Sequence, residues 1–166
     1  TYKILVAAEE SNISFNAIQY AFDLCSRLSA SYTLSIIYVV ALNPETNVPF
    51  IHSLDRASNL NILLEAKETV AKIKEHLKKF ESIHPNVKYQ FIEHEDHGLV
   101  GEILKGYIEK KQPDLNLLIV GSRNLDGLQK VCALFPRASS VLSLVLSSTS
   151  DYLVKNIRCP VTIVKP

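Results

Sequence analysis

The sequence contains no methionine, so its initiator is expected to have been processed away or to lie in a longer parent protein. Cysteine is scarce as well. Cys25, Cys132 and Cys159 are scattered and odd in number, with no C-x-x-C pair. That excludes a disulfide framework and a zinc knuckle and suits a reducing compartment, with the cytoplasm as the expectation. Neither sign of charge is in excess, 18 basic side chains facing 17 acidic ones. Such a chain projects no field toward polyanions, so no nucleic-acid partner is expected. A long hydrophobic run is also missing. The longest apolar stretch, Val131 to Leu146, is interrupted by Pro136 and Arg137 and is too short to span a bilayer. At the start, Thr1-Tyr2-Lys3 leads straight into a strand pattern rather than a signal peptide, so no membrane partner is expected. The signatures of dedicated catalysts are absent too: no G-x-S-x-G elbow, no G-x-x-x-x-G-K-[ST] loop and no Cys/His motif.

What remains is an ordinary globular composition, 47% hydrophobic and 21% charged over 166 residues. A chain of this size buries about 70% of its unfolded surface, enough for one sizeable core. Ile4-Leu5-Val6-Ala7-Ala8 is a continuous apolar run and reads as a strand covered on both faces. Ser14 is placed to cap a helix with Ala17, Ile18, Ala21, Leu24, Cys25 and Leu28 inward. Leu34 to Val40 is a second, β-branched strand. Residues 41–60, with Pro44, Pro49, Asn43, Asn47 and Asp55, read as a long loop. An amphipathic helix follows through Ile62, Ala66, Val70, Ile73, Leu77 and Phe80, with Glu68–Lys72 and Glu75–Lys79 as i,i+4 pairs on its solvated face. Val87 to Ile92 is a third strand, and Val100 to Lys110 a helix with Val100, Ile103, Leu104, Tyr107 and Ile108 inward. Leu115 to Val120 is the fourth strand. A last helix over about 148–156 precedes the short strand Val161 to Val164.

Strands alternating with helices imply right-handed crossovers, and hence a mainly parallel sheet with helices on both faces. The expected fold is a single-domain α/β three-layer sandwich over residues 1–166. Ligands of such sheets bind beyond the carboxyl ends of the strands, where the strand order reverses. That rule selects three segments: Ala7–Ser11, Val39–Leu42 and Gly121–Asn124. Gly121 after Leu118-Ile119-Val120 allows a tight turn with N–H groups near an anion, Ser122 adds a hydroxyl and Arg123 a charge. Ser147-Ser148-Thr149-Ser150 at a helix start adds hydroxyls and a positive helix end. The bland reading is a turn glycine and an N-cap.

His94-Glu95-Asp96-His97 offers metal-type side chains, but the spacing matches no strong ligand pattern and successive strand residues point to opposite faces. Exposed loop ionisables are the expectation and no metal site is assigned. Cys159 reads as a small buried hydrophobe.

Three segments together carry a resemblance to the universal stress protein family. Ile4-Leu5-Val6-Ala7-Ala8-Glu9-Glu10-Ser11 resembles its opening strand. Leu117 to Asn124 is similar to its fourth strand and glycine-containing exit. Ser147-Ser148-Thr149-Ser150 and Cys159-Pro160-Val161-Thr162-Ile163-Val164 are similar to its closing helix start and strand. The resemblance implies five strands in the order 3-2-1-4-5 and an adenine nucleotide (ATP, ADP or AMP), with Mg²⁺ as a possible companion. The residues it implies for that ligand are Ala7, Ala8, Glu9, Ser11, Val39, Val120, Gly121, Ser122, Arg123, Asn124, Ser147, Ser148, Thr149 and Ser150. Glu9 stands for the family's first-strand aspartate, Val39 for its backbone contact to adenine, and Ala7 for the wall of the base pocket. Of the family's G-x-x-G and following G-S/T, Gly121 is kept, whereas Asn124 and Ser147 replace the other two glycines. The 22 residues between these two exceed the family spacing. The excess falls in an apolar insertion at about 128–146, which has three readings: a lid, a dimer surface or an extension of the last helix.

Two functions follow. One is a stress-response regulator whose state depends on bound adenine nucleotide, with at most slow hydrolysis of ATP. The other is a nucleotide-free dimerisation or scaffold module, because the resemblance implies a homodimer through the otherwise unprotected edge Val161–Val164.

Overall fold

The computed structural model describes residues 1–44, 49–122 and 149–166, with the side chains of 49–53 left aside. Its elements run β1 (Tyr2–Ala8), α1 (Asn12–Arg27), β2 (Tyr32–Leu42), α2 (Pro49–Ile83), β3 (Tyr89–His97), α3 (Val100–Lys111), β4 (Leu117–Gly121), α4 (Thr149–Asn156) and β5 (Val161–Val164). The strands form one sheet in the order β3-β2-β1-β4-β5, and every neighbouring pair is parallel. The α/β fold and the strand order are as expected. The apolar insertion at about 128–146 lies outside the described residues.

Alternation along the strands divides the core between two faces. Ile4, Val6 and Ala8 of β1, with Leu34, Ile36, Leu117 and Ile119, meet Ala17, Ile18, Ala21, Phe22 and Cys25 of α1 and Ile73 and Leu77 of α2. Leu5, Ile37, Leu118 and Val120 point the other way, onto Leu104 and Ile108 of α3 and Leu153 of α4. The α1 stripe contains Phe22, fully buried and unnoticed in the sequence reading, while Leu24 and Leu28 are only half-buried. Burial also pushes the Cys25 thiol up to about 11, so it serves as packing rather than as a nucleophile.

Several boundaries differ from expectation, each for a local reason. The cap of α1 is Ser11, in extended conformation (φ −153°, ψ 152°), whose Oγ accepts the Ser14 N–H. Ser14 itself lies inside the helix and is fully buried. The stretch 41–60, expected to be loop, is helical from Pro49 onward. A proline is well tolerated as a first helical residue because its missing N–H would be unpaired there anyway. Val100 is 37% exposed rather than inward, since it opens α3 above the sheet. The third strand continues through His97, so the His94-Glu95-Asp96-His97 run is strand rather than loop.

At 35 residues α2 is roughly 52 Å long, well beyond the roughly 37 Å of the 11-residue β2. Asn59 marks where it passes the end of β2. Its side chain accepts the Asn43 N–H (2.8 Å) and donates to the Asn43 carbonyl (3.1 Å), and Asn59 is 8% exposed. Two polar groups of the departing chain are thus satisfied by one amide. Replacing Asn59 with alanine leaves both without that partner. We expect a loss of about 1–3 kcal/mol, read as a lowered denaturant midpoint with an unchanged m-value.

Candidate functional site

Strand order reverses at β1, whose neighbours β2 and β4 are reached by crossovers on opposite faces. The pairing of β1 with β2 stops at Ala8 opposite Tyr38, whereas β2 continues against β3 as far as Leu42 opposite His97. From Val39 onward, then, β2 has a strand partner on one side only among the described residues. The same happens across the reversal. Pairing of β4 with β1 stops at Val120 opposite Ala7, while Gly121 pairs only with Val164. The open side of β2 and the exit of β4 thus flank the end of β1 at the carboxyl edge, where a sheet that reverses its strand order is expected to hold its ligand crevice.

Its apolar wall is formed by Ala7, Val39 and Val120, which share the α3/α4 face of the sheet. Ala8 faces the other way and is buried under α1. Beyond Ala8 the chain turns through a closed set of hydrogen bonds. Glu9 N–H donates to Ser14 Oγ (2.8 Å), Ser11 Oγ donates to Glu9 Oε1 (2.8 Å), and Ser14 N–H donates to Ser11 Oγ (3.1 Å). One hydroxyl therefore caps α1 and positions the half-buried Glu9 carboxylate. The adjacent Glu10 turns outward to α2, accepting from Lys72 Nζ (2.7 Å) and Thr69 Oγ1 (3.2 Å). The Lys72 hydrogen bond holds the Glu10 carboxyl below its ordinary range. Two consecutive carboxylates are thereby separated, one at the crevice and one in a surface clasp. Lys72, expected to pair with Glu68, is committed to Glu10 instead.

Gly121 is a glycine for a reason the sequence did not show. Its φ is not in the left-handed region, which among the described glycines only Gly98 adopts (φ 123°). A Cβ on Gly121 would stand 3.0 Å from Ile13 Cγ2 and 3.2 Å from the Ile13 carbonyl carbon and oxygen. The close approach at this position is that of the first turn of α1. Past it, Ser122 N–H donates to the Val164 carbonyl (2.9 Å), and Ser150 Oγ donates to Ser122 Oγ (3.1 Å). Ser150 is buried in the first turn of α4, so this bond ties the exit of β4 to a helix N-terminus. Thr149 opens that helix and is exposed; Asp151 places a carboxylate in the same turn.

Of the site residues expected from the sequence, the structure gathers Ala7, Glu9, Ser11, Val39, Val120, Gly121, Ser122, Thr149 and Ser150 at this edge. Arg123, Asn124, Ser147 and Ser148 lie outside the described residues. Ile13, Asn59 and Gly98 were missed. Gly98 N–H donates to the Leu42 carbonyl (3.0 Å) and ends the β2–β3 pairing on the side of β2 away from β1. A glycine directly after the charged end of β3 was a legible turn signal. His94 packs its ring against Tyr107 at 5.0 Å between centroids. Among the described residues no group of three or more His, Cys, Asp or Glu side chains is arranged to hold a metal ion, and no helix is long and apolar enough to cross a membrane.

The model of the universal stress protein family matches residues 1–165. The universal stress protein MJ0531 of Methanocaldococcus jannaschii is 25% identical over 163 residues, spanning 98% of this chain and 81% of that protein. The universal stress protein UspA of Lactobacillus plantarum shares the fold at a TM-score of 0.65 and 18% identity, covering 98% of this chain and 97% of its own. A universal stress protein family protein of Arabidopsis thaliana, solved with AMP bound, superposes at a TM-score of 0.52 and 16% identity, covering 99% and 92%.

The Ile13 contact makes a prediction about Gly121. The opposing atoms include helix backbone held by the Ser11 cap, so the neighbour cannot withdraw cheaply. Gly121→Ala is expected to cost about 1–3 kcal/mol in chemical denaturation of ligand-free protein. An unchanged midpoint would mean that α1 adjusts and that Ile13 does not dictate the glycine.

Proposed function

Because the chain belongs to the universal stress protein family, we propose that it binds an adenine nucleotide in the crevice at the carboxyl ends of β1, β2 and β4, as a state-dependent regulator rather than a dedicated catalyst. The observation that carries this reading is the open side of β2 from Val39 onward, facing a tied pair of hydroxyls, Ser122 and Ser150, across the end of β1. A base edge needs unpaired backbone donors and acceptors beside an apolar wall, and Val39 with Ala7 and Val120 supplies both. A ribose needs a carboxylate acceptor, and Glu9 is one, already oriented by Ser11. Phosphates need N–H groups, hydroxyls and a positive helix end, the donor set of Ser122, Thr149, Ser150 and the start of α4.

The residues present therefore fit the ligand class, and the AMP-bound plant relative supports it. By resemblance Gly121, Arg123, Asn124, Ser147 and Ser148 complete the site, and Ala8, whose side chain is buried under α1, enters it only through its backbone. Mg²⁺ would balance the phosphate charge, with Glu9 as the carboxylate of the proposed set. Ser11 acts through Glu9 and is a positioning residue. Bound nucleotide would stabilise the crevice elements together, which makes the folded state responsive to nucleotide concentration.

A second reading rests on β5. Among the described residues this strand pairs with β4 alone, and all four of its residues are half-buried. An apolar edge of this kind is a template for a second copy, and we assign the homodimer to Val161–Val164. The single-domain organisation over residues 1–166 is part of the same proposal.

Two measurements separate the readings. Mass spectrometry of small molecules released by denaturing fresh protein is expected to find AMP, ADP or ATP, and stripped protein to bind ATP in calorimetry. Glu9→Gln and Ser150→Ala should each weaken binding about fivefold or more, the scale of one lost hydrogen bond. Protein that emerges empty and ignores millimolar ATP sinks the nucleotide reading. Sedimentation equilibrium should show a dimer; a size indifferent to ATP would favour the scaffold reading.

A further inference from the structure

The α3/α4 layer contains a half-open pocket of about 420 Å³ at the opposite, amino-terminal edge of the sheet. Its origin is a mismatch in helix length. Near its top α3 meets α4 closely, since a Cβ on Gly101 would stand 2.8 Å from the Tyr152 ring. The same stripe of α3 continues through Lys105, Ile108 and Gln112. By then α4 has ended at Asn156, four residues after Tyr152, whereas α3 runs on to Lys111. The last turns of α3 are left facing the segment that leads into β5, with a gap between them.

The lining is amphipathic. Its inner wall is Ile108 and Leu115, both buried, with Ile157 and Cys159. Burial raises the Cys159 thiol, which keeps that wall uncharged. The mouth carries Lys105, Glu109, Gln112 and Arg158. Lys105 and Glu109 lie 3.9 Å apart on adjacent turns, and these charges offset one another. Arg158 is exposed and has no ion pair or hydrogen bond among the described residues. Among the described residues the mouth thus carries one uncompensated positive charge, on a planar fork suited to a carboxylate.

We propose that this cavity binds a small amphiphilic monoanion, its apolar body against Ile108, Leu115 and Ile157 and its carboxylate on Arg158. The volume is that of roughly fourteen waters, which suits a ligand of about ten to fifteen non-hydrogen atoms. Occupancy would brace the Cys159-Pro160 entry to β5. The Pro160 carbonyl there accepts the Leu118 N–H at 3.0 Å. The site is independent of the nucleotide reading, because it shares no residue with the crevice.

The test uses the whole protein with labelled methyl groups, titrated with 4-phenylbutyrate and, in parallel, with neutral 4-phenylbutanol. Saturable shifts at Ile108, Leu115 and Ile157 are expected below about 10 mM acid, with a weaker response to the alcohol. Arg158→Gln, a surface change, should weaken the acid about fivefold, the upper range for an exposed charge contact, and Cys159→Phe should fill the cavity and remove the shifts. No saturation, equal affinity for acid and alcohol, or an Arg158→Gln protein that binds as tightly overturns the proposal.

Discussion

The structure depends on one constraint: β1 is hydrogen-bonded on both edges and covered on both faces. Ile4, Leu5 and Val6 are at most 1% exposed, so no polar side chain could sit there without an internal partner. Chemistry is thereby pushed to the end of the strand, where pairing to β2 and β4 stops within one residue of each other. The strand order reverses at this position, and Glu9 is the first polar side chain past the end of β1. The crevice is a consequence of how a buried central strand must end.

The helices are seated on this edge by small residues and hydroxyls. Gly121 admits the first turn of α1, Gly101 admits Tyr152, and Ser11 serves both the α1 cap and the Glu9 carboxylate. Ser122 and Ser150 join the remaining pair, β4 and α4. Each contact is local and cheap, yet together they place the apolar wall, the carboxylate and the hydroxyls around one opening. Beside α1, on the same face, α2 is strapped down by charges. Lys72 reaches Glu10, and Lys74 reaches Glu93 at 2.7 Å while lying over the Phe91 ring. Exposed pairs of this kind add little stability individually, but they choose which carboxylates are left for the crevice.

Much of this was legible beforehand. The unbroken apolar run of β1, the i,i+3/i+4 stripes of α1 and α2, and the strand–helix alternation together gave the fold class. The reversal rule and the family resemblance placed the segments around Glu9, Val39 and Gly121. The start of α2 was not legible, because Pro49, Asp55 and Asn59 are turn formers in isolation and become helical once Asn59 finds the Asn43 backbone. The partners of Lys72 and Lys74 were not legible either. A lysine stem reaches several carboxylates, and the i,i+4 neighbour is only the one visible in one dimension. Ser14 satisfies the pattern of a serine before an apolar stripe, but it stands one turn after the true cap, Ser11.

By itself, then, the sequence determined what depends on periodicity: which residues face inward, the order of elements, and hence the parallel sheet with its reversal. These properties follow from side-chain alternation and crossover handedness, both local rules. Only the tertiary structure decided what depends on where separate elements stop against one another. The open flank of β2, the Ile13–Gly121 contact and the cavity left where α4 ends before α3 are all differences between the lengths or ends of neighbouring elements. No single stretch of chain carries such a difference. It exists only once packing sets the elements side by side.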